Sequence, residues 1–138
     1  MSKLLNISEA AALSLHSAVL LAAAPQKRRS AKNMATELQV SEAHLTKVMQ
    51  QLASQGLVES RRGPKGGFSL TDKGSNAVLL DFFQAVHGRI DSHACLFYRL
   101  ACAGPCIFGD LISHVDEIVS KRLGQISLSA FAPQADRE

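Results

Sequence analysis

A chain of 138 residues suits one domain with a modest appendage, well below the length at which chains divide into several cores. Hydrophobic residues make up 46% and charged residues 20%, which excludes intrinsic disorder over most of the length. The formal net charge of +3 is compatible with an anionic partner without demanding one. Three cysteines, an odd and small number, exclude a disulfide-stapled secreted scaffold and indicate a reducing compartment. The longest apolar run, AVLLAAAP from Ala18 to Pro25, is too short to span a bilayer, and the single Lys3 with Glu9 before it makes a poor positive n-region for a signal peptide. A cytoplasmic protein with no membrane association is expected.

The first predicted element is a helix over Ser8 to Ala24, apolar over most of its girth, with Ser8 as cap and Glu9 in the first turn where the helix dipole favours an acid. It stops before Pro25. His16, inside this apolar pattern, is expected to be buried and hydrogen-bonded rather than a ligand. Gln26 to Arg29 (QKRR) reads as an exposed basic connector. Ser30 then caps a short helix to Leu38 with Met34, Ala35 and Leu38 inward. After the turn Gln39-Val40-Ser41, a second helix presents Leu45, Val48, Met49 and Leu52 on one face and ends before Gly56, which suits a left-handed cap. Helix, tight turn and helix make a helix-turn-helix.

The period then changes. Leu57 to Arg61 and Phe68 to Thr71 alternate as strands around the turn Arg62 to Gly67 (RGPKGG), a β-hairpin placed as a wing. A helix from about Asn76 to Val86 follows, and Arg89 to Pro105 shows no sustained period. From Cys106 to about Leu123 an apolar stripe of Ile107, Leu111, Ile112, Val115, Ile118, Val119 and Leu123 predicts a five-turn helix, too long for so small a domain to cover, and hence a dimerisation surface. The expected fold class is mainly α with a small β-hairpin wing, a winged helix-turn-helix plus a long C-terminal dimerisation helix. Its expected divisions are a DNA-binding domain over 1–88, a cysteine-bearing sensor loop over 89–105, the dimerisation helix over 106–128 and a flexible tail over 129–138.

Charge follows the same partition. Lys27 to Lys73 holds nine basic and four acidic residues, a net of +5, and the remainder nets −2. Counterion release from duplex phosphates rewards such a concentration. The start of the second helix in a helix-turn-helix enters the major groove, so Ser41, Glu42, Ala43, His44, Thr46 and Lys47, with Gln50 beyond them, are the candidates for base contact. Arg61, Arg62 and Lys65 on the hairpin are candidates for phosphate or minor-groove contact. The glycines of GPKGG lie between strands with no helix following directly, so they do not form a phosphate-binding loop of the nucleotide-binding kind.

The cysteines Cys95, Cys102 and Cys106 fall within twelve consecutive residues. Their C-x6-C-x3-C spacing matches neither zinc ribbons nor the common ferredoxin run. Three readings remain open: thiolate ligands of an iron–sulfur cluster, a reversible thiol switch, and small hydrophobes in a core. The five histidines are scattered and none has an evident partner for activating a nucleophile, so no enzyme is expected.

The stretch LTKVMQQLASQGLVES, the wing RRGPKGGFSLT, the helix closing on AVHG, the spaced cysteines and the long final helix together resemble the Rrf-two family of winged-helix regulators. The likeness runs from about Leu4 to Leu128 and is most specific over Leu45 to Leu70. It implies a homodimer that binds double-stranded DNA at palindromic operators and, often, a 2Fe–2S or 4Fe–4S iron–sulfur cluster sensing iron, cluster supply, nitric oxide or redox state. Carried onto this sequence, the resemblance makes Cys95, Cys102 and Cys106 the metal ligands and Glu9 a candidate fourth ligand, with His93 and Asp110 as rivals. Some members place a histidine three residues after the last cysteine, where Gly109 stands here. The interval between the second and third cysteines is shorter than the family norm, and Thr46 stands where some members have an acid that tunes operator choice. The expected function is a cluster-sensing repressor; the alternatives are a clusterless regulator responding to thiol oxidation or a partner, and an electron-transfer protein. The last is disfavoured by the lack of a C-x-x-C pair.

Overall fold

In the computed structural model, residues 7–90 and 105–133 are described. The elements are α1 (Glu9–Ala22), α2 (Ala31–Leu38), α3 (Glu42–Ser54), β1 (Val58–Arg61), β2 (Gly67–Leu70), α4 (Asp72–Ser75), α5 (Leu79–His87), α6 (Leu111–Gly124) and a 3₁₀ turn, Leu128–Phe131. This is a mainly helical chain with a two-stranded antiparallel hairpin.

Each of the first three helices begins where a serine offers its hydroxyl oxygen to an otherwise unpaired amide. Ser8 Oγ accepts from Ala11 N–H at 3.2 Å, Ser30 Oγ from Asn33 N–H at 3.1 Å and Ser41 Oγ from His44 N–H at 3.1 Å. The helix-turn-helix corner is closed by Gln39 in the left-handed conformation, φ 57°, and by Val40 N–H donating to Ala35 O at 3.0 Å. A polar residue without β-branching tolerates that conformation better than Val40 beside it would.

The core gathers Leu21 from α1, Met34 from α2, Leu45, Val48, Met49 and Leu52 from α3, and Phe82 from α5. Serines let α1 and α5 approach closely: buried Ser14 Oγ lies 2.7 Å from Ala11 O and 3.1 Å from Phe82 O. Among these helices α1 is central, packing against both α3 and α5. His16 departs from expectation and is exposed. In a helix apolar almost all round, periodicity does not decide which side faces water.

The wing is held on both sides. Its register pairs Val58 with Leu70, Glu59 with Ser69, Ser60 with Phe68 and Arg61 with Gly67. On the other edge of β2, Phe68 N–H donates to Arg29 O at 2.8 Å and Arg29 N–H to Phe68 O at 3.0 Å. The basic connector therefore acts as a one-residue third strand. Gly67, at φ +133°, allows this approach, since a Cβ there would sit 2.5 Å from Arg29 O.

The helix expected over Asn76 to Val86 begins at Leu79 as α5, and the turn that leads into it, Asp72 to Ser75, is itself a short helix, α4. Thr71 caps α4 through Gly74 N–H at 3.0 Å, and Asp81 accepts from Val78 N–H at 3.0 Å at the start of α5. The last helix opens at Leu111 rather than Cys106, because residues 107–110 form turns and Gly109 takes φ 57°. Beyond α6 the chain returns to the core: Leu79 N–H donates to Ile126 O and Leu128 N–H to Ala77 O, both at 3.0 Å, and Leu128 is 1% exposed. The α6 helix itself buries no residue, and Leu111 and Ile118 remain more than half exposed. No helix among the described residues is long and apolar enough to cross a membrane.

Candidate nucleic-acid interface

The cap at Ser41 and the core contacts of Leu45, Val48, Met49 and Leu52 orient α3 so that its opposite side faces outward. Ser41, Glu42, Ala43, Lys47 and Gln50 are exposed, whereas His44 and Thr46 are half-buried. Ser41 Oγ is already an acceptor for His44 N–H, which leaves its hydroxyl proton free to be donated. Lys47 carries no ion pair among the described residues.

Near the base of this surface, Glu9 Oε1 lies 3.6 Å from His44 Nδ1. That is too long for a hydrogen bond but close enough for a charge contact whenever the imidazole is protonated. Glu9, a candidate cluster ligand on sequence grounds, thus sits against a candidate base-reading residue. Sequence reading missed the pairing because thirty-odd residues separate the two and neither position carries a local signal of it.

Arg61, Arg62 and Lys65 are exposed on β1 and the wing turn, without ion-pair partners among the described residues. The turn is tightly wound: Gly66 N–H donates to Gly63 O at 2.9 Å, Gly63 takes φ +105°, and a Cβ on Gly66 would fall 2.3 Å from Arg61 O. Arg28 and Arg29, not singled out from the sequence, belong structurally to the wing. Arg28 pairs with Glu59 at 3.1 Å, and Arg29 pairs with Glu37 on α2. Ser69 Oγ donates to the same Glu59 oxygen at 3.2 Å. Their available signal was the QKRR run immediately before the Ser30 cap.

Of the expected metal ligands, Cys106 is exposed with a free thiol, and Asp110 is exposed just before α6. Cys95, Cys102 and His93 lie outside the described residues. Among the described residues no group of three or more His, Cys, Asp or Glu side chains is placed to hold a metal ion.

A family model described as "Rrf2: Iron-dependent Transcriptional regulator" matches residues 7–134. The chain is 41% identical over 64 residues to YwgB, an HTH-type transcriptional regulator of Bacillus subtilis, a match covering 46% of this chain and 41% of that protein. The chain spans less than two thirds of the length of the first curated relatives it matches. In fold it is similar to CymR, the global cysteine regulator of B. subtilis, with TM-score 0.71 and 23% identity over 94% of this chain and 99% of CymR. It is also similar to T. potens IscR, with TM-score 0.64 and 20% identity over 91% of this chain and 84% of that one. These likenesses to solved structures establish the winged-helix architecture, and the family match, spanning every described residue, establishes the kinship: the chain belongs to the Rrf2 family of transcriptional regulators.

Proposed function

We propose that this protein is a homodimeric, sequence-specific DNA-binding transcription regulator, acting as a repressor in the cytoplasm, whose activity is set by an iron–sulfur cluster. The observation that carries the DNA-binding part is the pairing of a capped, outward-facing start of α3 with a wing whose Arg61, Arg62 and Lys65 have no ion-pair partner among the described residues. Ser41, Glu42, His44, Thr46 and Lys47 would read base edges, and the wing cations would hold phosphate or minor groove. A dimer is supported by α6, which buries no residue and leaves Leu111 and Ile118 in solvent. Two recognition helices related by a twofold axis read half-sites about one helical turn apart or multiples of it.

The cluster would take thiolates from Cys95, Cys102 and Cys106, with Glu9 as fourth ligand. The donor chemistry fits: thiolate is the ligand type iron–sulfur clusters use, and the Cys106 thiol is exposed and free. The family description, an iron-dependent regulator, points the same way. When bound, the cluster supplies a centre that changes oxidation state or is dismantled by nitric oxide or oxygen. The protein's own part would be to hold it and to translate its state into the spacing of two α3 helices. A second reading, favoured by the exposed free thiol of Cys106, dispenses with iron and uses a reversible disulfide.

Anaerobic purification after iron and sulfide reconstitution separates them. A brown protein with about three thiols per chain protected from alkylation supports the cluster. A colourless, iron-free protein whose affinity for a selected duplex tracks a disulfide supports the thiol switch. Selection of binding sites from random duplexes that returns no consensus would remove the DNA-reading role itself.

A further inference from the structure

The connector between α1 and α2 and the turn of the wing face each other across a cleft of about 700 Å³. Its lining includes four cationic side chains, Lys27, Arg28, Arg29 and Lys65, and no acidic one. The walls are joined by the two backbone hydrogen bonds between Arg29 and Phe68, so the cations are carried on one hydrogen-bonded unit rather than on two independent loops. Two of them have partners: Arg28 pairs with Glu59 and Arg29 with Glu37. Lys27 and Lys65 make no ion pair among the described residues. Arg28 also keeps Nη1 buried without a hydrogen-bond partner, a donor whose loss of water is uncompensated until an acceptor arrives.

We propose that this cleft is a phosphate-binding site, and that its occupant is a backbone phosphodiester of duplex DNA beside the segment read by α3. A phosphate offers several anionic oxygens at once. It can meet the remaining guanidinium edge of Arg28, whose Nη2 stays with Glu59, on one side and the point charges of Lys27 and Lys65 on the other. The assignment adds the connector to the DNA footprint and gives the wing a rigid phosphate anchor. It rests on the DNA-binding reading for its occupant. A free phosphorylated ligand would use the same chemistry.

The test uses the full chain and a non-specific duplex titrated at several salt concentrations, comparing wild type with Lys27→Gln and Lys27→Arg. Neither substitution touches the core, since Lys27 is exposed. Loss of one phosphate contact makes the slope of log affinity against log salt shallower by about 0.9. The expected result is that change in Lys27→Gln, recovery in Lys27→Arg, and no change in sequence preference. An unchanged slope overturns the DNA occupant. Calorimetry with inorganic pyrophosphate in the absence of DNA then decides the source. Saturable binding lost in Lys27→Gln reassigns the cleft to a free phosphorylated ligand, and no binding in either protein overturns the site altogether. If site selection yields no consensus while the slope still falls, the regulator reading fails and the cleft stands.

Discussion

Glu9 Oε1 approaches His44 Nδ1 to 3.6 Å, joining the first turn of α1 to the first turn of α3. One residue belongs to the set proposed to hold the cluster and the other to the set proposed to read bases. A carboxylate occupied by a metal would release His44, and one facing His44 orients the imidazole. The contact therefore gives the N-terminus of α1 a direct route to the surface proposed to read DNA.

Because Glu9 is well exposed and His44 about one third exposed, the pair contributes little to folding, within about 1 kcal/mol. Glu9→Gln is expected to leave the urea midpoint nearly unchanged while altering base preference at the position His44 reads. Site selection on the two proteins checks this. A preference identical to wild type would show that the contact does not orient His44.

Residues that read bases and those that hold phosphate predict different signatures. Thr46→Ala or Lys47→Ala should relax discrimination at particular base pairs by roughly 1–3 kcal/mol. Arg61→Ala and Arg62→Ala should weaken binding about equally across sequences and flatten the salt dependence. Competition binding with single-base-pair operator variants distinguishes the two patterns.

Leu128 ties the chain's return segment to the domain. It is 1% exposed and its amide is bonded to Ala77 O, so Leu128→Ala should cost about 2–5 kcal/mol. Urea unfolding measures it. A loss under about 0.5 kcal/mol would mean that this segment is not part of the cooperative core.

The wing can be broken without removing a charge. Gly67→Ala places a Cβ only 2.5 Å from Arg29 O, on a backbone at φ +133°. It should cost roughly 1–3 kcal/mol and weaken DNA binding through displacement of β2. Thermal unfolding and a mobility-shift titration check both effects.

The outer face of α6 is testable by charge. Ile118 is 57% exposed and Leu111 55%, so Ile118→Asp should not unfold the chain but should abolish a dimer that buries this face. Light scattering after size exclusion reads the mass directly. A dimer that survives the change would move the interface elsewhere.

Local features of the chain were legible without coordinates. Serine hydroxyls that satisfy the first unpaired amides mark the starts of α1, α2 and α3, and apolar spacing of three and four identifies the faces of α2 and α3 that are buried. The alternation around RGPKGG specifies the hairpin. Caps, turns and periodicity act over a few residues, so sequence alone determines them, and with them the winged helix and the candidate reading residues. Pairings between residues far apart in the chain came from the packing of the elements instead. Arg29 becomes a third strand on Phe68, Leu128 returns to the core beside Ala77, and Glu9 meets His44. Even the orientation of α1, which exposes His16, depended on its neighbours, because an apolar pattern around the whole helix contains no preference for one side. Long-range pairings of this kind depend on how the elements pack against one another, and no single stretch of sequence carries that geometry.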